Sequence, residues 1–228
     1  MLHGYLPAIL TGLQTTLAVA AVSLAIACGF GLAGALAKLS ENVVARGVAD
    51  TYTTLIRGLP DLVLMLLVFY GGQIALNALI DRMGWDYIEV SPFAAGTATL
   101  GFIFGAYLTE TFRGAILAVP RGQIEAAYAF GLRRIDVVRR IMVPQMVRHA
   151  LPGFTNNWLV MVKATALVSI IGLDDMVHRA SLASAATNLP FTFYAAIAAI
   201  YLAITTVSLL ALKLLERRFS LGVRRSEL

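Results

Sequence analysis

The stretch EAAYAFGLRRIDVVRRIMVP at positions 125–144 decides how the rest of the chain is interpreted. It is polar and basic, yet it lies in a chain that is 59% hydrophobic and only 14% charged. Its pattern is E-A-A, three residues, a glycine, nine residues, and then I-x-V-P. Such a pattern predicts two short helices joined by a left-handed turn at Gly131. We call residues 118–150 the hairpin segment, and we expect it to offer a docking surface to a partner.

The low charge content favours the membrane class, because a soluble domain needs more charge to cover its surface. Several runs lack Asp, Glu, Lys and Arg, and each is about as long as the roughly 20 helical residues that cross a hydrocarbon core. The runs are uniformly apolar and not alternating, which favours helices over a barrel. We therefore predict an all-α membrane protein, one domain over residues 1–228, with five transmembrane helices at about 9–37, 60–80, 92–117, 151–173 and 191–215.

The distribution of basic residues sets the expected orientation. Lys and Arg gather in the links between spans one and two and between spans three and four, and after span five. The positive-inside rule then places the N-terminus outside, and the hairpin segment and the C-terminal tail in the cytoplasm. The net charge of +5 follows from this asymmetry and suits anionic lipid on that side. No basic segment is interleaved with aromatic residues, so we expect no nucleic-acid partner.

Local signals predict the element boundaries. Pro60 and Asp61 form a start signal for span two, and the link after span one is expected to be polar and short, up to about Thr51. Within the hairpin segment we expect helices over 123–130 and 133–142, with Pro144 ending the second. Small residues in span one predict close helix contact there, namely Gly29, Gly31 and Gly34.

The chain lacks the motifs of an enzyme or of a nucleotide-binding protein. No G-x-x-x-x-G-K-[ST] phosphate loop occurs, so ATP must be bound elsewhere if it is used. The three histidines lie far apart at span ends and the single cysteine lies within span one, so we expect no metal site and no cofactor on this chain. A membrane-bound enzyme therefore has no catalytic constellation to support it.

Three further stretches accompany the hairpin pattern: TLIRGLPDLV at 54–63, GAYLTETFRGA at 105–115 and KATALVSIIG at 163–172. Together they resemble the permease subunits of bacterial ABC importers, in the polar amino-acid branch. The pattern is most similar to the Q-type subunit of the histidine/lysine/arginine/ornithine permease pair, with opine permeases as near relatives. The resemblance implies a type I ABC importer permease in the bacterial inner membrane that moves a polar amino acid of the basic group, or an opine, inward.

The same resemblance implies partners and a set of coupling residues. The partners are a second homologous permease, making a heterodimer, two ABC ATPase subunits that bind ATP and Mg, and a periplasmic amino-acid-binding protein. A short cytoplasmic coupling helix docks into a groove of the ATPase. The ATPase-coupling residues implied in this chain are Glu125, Ala126, Ala127, Gly131, Arg133, Ile141 and Pro144.

Two ionisable residues fall inside predicted spans, and two interpretations of them stay open. In the first, Lys163 attracts a substrate carboxylate and Glu110 a substrate cation along a translocation path. Asn156 would share the face of Lys163 at a spacing of seven residues, and Thr165 would lie beside it. In the second, Glu110 pairs with Arg113 within its helix and Lys163 donates hydrogen bonds between helices.

An alternative function from a different class is an autonomous secondary transporter or channel that uses Lys163 and Glu110 for ion coupling. The odd number of spans, the lack of an inverted repeat and the basic hairpin segment disfavour it. An autonomous carrier would work alone in vesicles without ATP.

Overall fold

The computed structural model describes residues 4–219, so the predictions that concern His3, Arg224 and Arg225 lie outside the described residues. Over that range the chain forms eight helices and no strand. The helices are α1 (Leu6–Lys38), α2 (Val43–Gly58), α3 (Asp61–Arg82), α4 (Pro92–Leu117), α5 (Arg121–Ala129), α6 (Arg134–Ile171), α7 (Met176–Thr187) and α8 (Pro190–Phe219).

The membrane-spanning elements agree with the predicted architecture. Helices α1, α3, α6 and α8 are each long and apolar enough to cross a bilayer, and α4 with α5 forms a pair bent by 57° that brings the number to five. Helix α3 begins as expected, with Leu59 extended, Pro60 as N-cap and Asp61 in the first turn. The structure is thus all-helical over the described residues, as the apolar runs predict.

Helix α4 is the centre of the bundle, and its packing depends on small residues. Its most extensive contact is with α1, which runs parallel to it. A Cβ added at Gly31 or Gly34 of α1 would overlap the side chain of Leu108 or Thr109, so these glycines bring the two helices close together. Gly29 meets nothing within 4 Å, so of the three predicted contact glycines only two take part.

The bundle has two ends with different contents. Lys38, Leu117 and α5 lie at one, which we call the hairpin end. The start of α1 and helix α7 lie at the other, which we call the far end, where Ile9, Met176 and Phe193 are fully buried in a small apolar cluster. The main core lies along α4 between these ends and is built from large side chains such as Leu100, Phe104, Leu108, Met161 and Val168.

The prediction that Pro144 ends a short helix is wrong. Helix α6 continues through this position without a break, from Arg134 to Ile171, so the helix that contains span four begins well before residue 151. A π-helical turn at Val138–Met142 comes directly before the proline, and the Val143 N–H bonds the carbonyl of Val138. Because this wider turn shifts the hydrogen-bond register, the missing N–H and the ring of Pro144 are accommodated without ending the helix.

The polar link after span one contains a helix, α2, which the sequence analysis does not predict. Asn42 caps this helix by accepting hydrogen bonds from the N–H groups of Val44 and Ala45. The helix is amphipathic, with Ala49, Thr53 and Ile56 buried on one face. A second unpredicted helix, α7, lies between spans four and five and is capped by the Asp175 carboxylate, which accepts from the His178 N–H at 2.8 Å.

Candidate functional site

The turn of the hairpin segment has the geometry that its glycine predicts. Gly131 has φ +78°, in the left-handed region, which confirms the predicted left-handed turn. The Leu132 N–H bonds the Ala127 carbonyl at 3.1 Å, and the Gly131 N–H bonds the Tyr128 carbonyl at 2.9 Å. This pair of bonds is a Schellman motif, which satisfies the last carbonyls of α5 and turns the chain sharply toward α6.

The tip of the hairpin segment exposes large apolar side chains that no part of the described chain covers. Phe130 is 86% exposed and Ile135 is 73% exposed, on either side of the Gly131 turn, and Tyr128 is also exposed. Singly exposed apolar residues are common, but a cluster of this kind on a polar segment marks an interaction surface. The sequence analysis missed Phe130 and Ile135, although their position next to the turn glycine could have indicated them.

The predicted coupling residues divide into exposed and inward-facing ones. Glu125 and Ala126 are exposed, and so is Arg133, which precedes the first turn of α6. Ala127 is buried against its own chain, so of the two alanines only Ala126 is available for close contact with a partner. Ile141 is half-buried in the π-helical turn of α6.

Two polar contacts fix the hairpin segment. Asp136 and Arg140 form an ion pair, with 3.3 Å between the carboxylate and Nε. Glu125 and Arg121, which are also four residues apart, form no pair among the described ion pairs, so the Glu125 carboxylate is free for a partner. The side chain of Gln145 donates to the side chain of Gln123 at 2.6 Å and so ties α6 to the start of α5.

Glu110 lies in a charge cluster that joins three helices at the hairpin end. The Lys38 ammonium is 2.5 Å from Oε1 of Glu110 and 2.9 Å from Oδ1 of Asp50, while Nε of Arg113 is 3.0 Å from Oε2 of Glu110. The hydrogen bond from Lys38 lowers the pKa of the Asp50 carboxyl. Both Glu110 oxygens are thus engaged within the subunit, and the predicted pair with Arg113 is confirmed. The Lys38 partner was not predicted.

Lys163 has the opposite environment. It is exposed on the surface of the bundle, and no ion pair or side-chain hydrogen bond holds it among the described residues. It lies in a groove of about 700 Å³ between α6 and α8, where the hydroxyls of Tyr201, Thr205 and Thr206 accompany apolar side chains. The described lining contains no carboxylate, so the ammonium is the one charged group of the groove.

The two other predicted path residues lie apart from each other. Asn156 is exposed two turns before Lys163. Thr165 is buried, donates to the Val162 carbonyl at 2.7 Å and lies 3.3 Å from the Tyr201 hydroxyl. Thr165 therefore supports the wall of the groove and does not line it. The residue after Asn156 makes the contact between helices: the side chain of Asn157 donates to the Thr111 hydroxyl of α4 at 2.9 Å.

Within residues 4–219 no group of three or more His, Cys, Asp and Glu side chains is arranged to hold a metal ion.

Comparison with known proteins places this geometry in a family. Residues 25–221 match the model of the binding-protein-dependent transport system inner membrane component. The histidine/lysine/arginine/ornithine transport system permease protein HisQ of Salmonella typhimurium is 56% identical over 228 residues, which cover both chains completely. The arginine ABC transporter permease protein ArtQ of Haemophilus influenzae is 40% identical, over 96% of this chain and 97% of that one.

A solved structure shares the fold. A crystal structure of an amino acid ABC transporter with histidines superposes with a TM-score of 0.79 at 34% identity, covering 94% of this chain and 95% of that one. The match to a whole permease chain, together with the exposed hairpin segment and the five spans, fixes the class of the molecule. The chain belongs to the family of binding-protein-dependent transport system inner membrane components, and it is a permease subunit of an ABC importer with the type I fold.

Proposed function

We propose that this permease moves a basic amino acid, or an opine, from the periplasm to the cytoplasm, and that a separate ATPase drives it through the hairpin segment. The names of the relatives support the substrate class, since they are transport proteins for histidine, lysine, arginine and ornithine, for arginine, and for octopine. The observation that carries the coupling is the uncovered apolar tip at Phe130 and Ile135.

The hairpin segment supports docking by its chemistry. Its tip supplies apolar anchors, and around them Glu125 and Arg133 provide exposed charges that can pair with a partner. Interfaces gain most of their energy from a few buried aromatic and arginine residues at the centre, with charged residues at the rim. We therefore assign Phe130 to the centre of the ATPase contact and Glu125 to its rim.

The orientation of the subunit follows from its charges. The basic hairpin segment lies in the cytoplasm by the positive-inside rule, and the N-terminus lies in the periplasm. This places the proposed ATPase on the side where ATP is available, and it places the far end toward a periplasmic binding protein that delivers the substrate.

The groove at Lys163 is the proposed contribution of this subunit to the substrate path. Lys163 lies near the middle of the predicted span at about 151–173. A lysine facing lipid at the centre of a span costs about 2.5–3.5 kcal/mol on insertion scales, so this face must be covered by protein or by water. Most of the surface of helix α8 is uncovered, since only 6% of its most apolar 18-residue stretch is buried. We assign this face to the second, homologous permease, and Lys163 to the substrate carboxylate that every amino acid carries.

Glu110 is not part of the proposed path, because both of its carboxylate oxygens already accept from Lys38 and Arg113. The described groove lining contains no acid that could hold a substrate cation. We therefore assign recognition of the substrate's cationic side chain to the second, homologous permease and to the binding protein.

A pair of matched phenylalanine variants tests the docking proposal. Phe130 and Phe191 are exposed to nearly the same extent, 86% and 85%, but they lie at opposite ends of the bundle. Phe130→Asp should abolish co-purification of the ATPase with the permease, because it places a charge in the apolar centre of the contact. Phe191→Asp should leave co-purification unchanged. Equal retention of the ATPase by both variants would overturn the proposal.

A further inference from the structure

The charge cluster at the hairpin end joins three helices that are distant in the sequence. Lys38 ends α1, Asp50 lies in α2, and Glu110 lies in α4, seven residues before that helix ends at Leu117. The Lys38 ammonium contacts both carboxylates, at 2.5 Å to Glu110 and 2.9 Å to Asp50. One side chain therefore connects α1, α2 and α4 at a single point.

This point is enclosed on the side of Lys38. The side chain of Lys38 is 9% exposed, whereas that of Asp50 is 57% exposed. Beside the cluster, Gly34 of α1 packs directly on Thr109 of α4. The hydroxyl of Tyr52 in α2 donates to the Phe102 carbonyl of α4 at 2.5 Å. The three helices are thus held together by directional contacts as well as by apolar packing.

The position of the cluster relates it to the docking element. Helix α4 leads into α5 through a short break at 118–120, and the two helices are bent by 57°. A force applied to α5 by the ATPase reaches α4 through this break, and α4 contacts both α1, most extensively, and α2. Apolar packing resists separation but permits sliding, whereas a lysine held by two carboxylates resists both because each bond is directional.

We propose that Lys38 is a positioning residue that makes α1 and α2 follow α4 when the docked ATPase moves the hairpin segment. This inference rests on the proposed function, because it concerns the same coupled transport cycle. Replacing a buried ion pair by apolar groups is often neutral for stability, so the cluster need not be explained by stability alone. Its loss should separate ATP hydrolysis from substrate movement.

The test measures the ATP hydrolysed per arginine transported by the assembled importer, reconstituted in vesicles with its ATPase, second permease and binding protein. Lys38→Gln should raise this ratio about fivefold or more, the size of an ordinary coupling between sites. Lys38→Arg keeps a cation that reaches both carboxylates and should restore the ratio. Arg82→Gln, which removes an exposed cation of α3 with no described ion pair, is the control and should not change it.

A second variant keeps the inference testable if Lys38→Gln does not assemble. Asp50→Asn removes the charge of the more exposed partner, which weakens that contact, and it leaves the bond between Lys38 and Glu110. It should therefore assemble and raise the ratio by a smaller factor. An unchanged ratio in Asp50→Asn and in any assembled Lys38→Gln complex would overturn the inference. A wild-type complex that transports without hydrolysing ATP would instead overturn the proposed function.

Discussion

Glu110 and Lys163 are both ionisable residues within membrane-spanning helices, yet their environments are opposite. Glu110 is enclosed by Lys38 and Arg113 of its own subunit. Lys163 is exposed in a groove and has no described partner. A charge inside a membrane must be compensated, so Glu110 completes its interactions within the chain, while Lys163 requires something from outside it. We therefore propose a structural role for Glu110, and contact with a ligand or another subunit for Lys163.

Among the substitutions proposed, Lys163→Met should have the largest effect on transport. Removing the ammonium should lower substrate uptake between about tenfold and a hundredfold, because a hydrogen bond to a charged group contributes about 1.5–3 kcal/mol. The thermal stability of the subunit should not fall, since the lysine makes no described contact that is lost. Uptake by the reconstituted importer and the melting temperature of the purified subunit check the two parts. Lys213→Met, an exposed lysine of α8 outside the groove, is the control.

Glu110→Gln should have the reverse signature. It leaves Lys38 and Arg113 with a neutral partner, which should destabilise the subunit by about 1–3 kcal/mol. The KM for substrate should remain unchanged in the assembled complex, because Glu110 does not line the groove. Denaturant unfolding in detergent measures the first quantity and initial uptake rates measure the second. A raised KM with unchanged stability would return Glu110 to the substrate path.

A double-mutant cycle sharpens the assignment of the Glu110 partner. If Lys38 and Glu110 interact directly, the losses of unfolding free energy caused by Lys38→Met and by Glu110→Gln should not add. The loss in the double variant should differ from their sum by about 1 kcal/mol. The same cycle on Lys163 and Glu110 should be additive, because the two residues share no described partner. Additivity in both cycles would contradict the observed contact.

The ion pair of Asp174 and Arg179 at the far end is exposed, so breaking it should change the free energy of unfolding least. Asp174→Asn should cost less than about 1 kcal/mol at pH 7, as for other surface pairs. The bond from Arg179 lowers the pKa of Asp174, so the stabilisation is present above the usual carboxyl pKa of about 3.9 and is lost as the pH falls through the lowered value. Unfolding of wild type and variant between pH 7 and pH 3 measures this; a difference that grows on acidification would have the wrong sign.

The sequence predicts those features that depend on local patterns. Span three is predicted at about 92–117 and α4 is found at Pro92–Leu117. The left-handed turn at Gly131 is likewise predicted from its own neighbourhood, because few residues other than glycine adopt that backbone conformation. The family follows from the combination of the hairpin pattern with three further stretches.

What the sequence does not predict depends on distant contacts or on a shifted hydrogen-bond register. Lys38 and Glu110 are 72 positions apart, and nothing local to either identifies the other. Pro144 is an ordinary helix stop by local rules, and only the π-helical turn before it allows α6 to continue. Helix α2 is amphipathic, so its few apolar residues are interspersed with polar and charged ones, and the charge pattern of the stretch does not indicate a helix.

Uptake of labelled arginine into sealed vesicles tests the central claim most directly, with ATP and an ion gradient supplied in turn. Vesicles that contain this chain, its sibling permease and the ATPase should accumulate arginine when the binding protein and ATP are present. Vesicles that contain this chain alone should show no uptake under either energy source. Gradient-driven uptake by the chain alone would contradict the account, because it would show that no separate motor is needed.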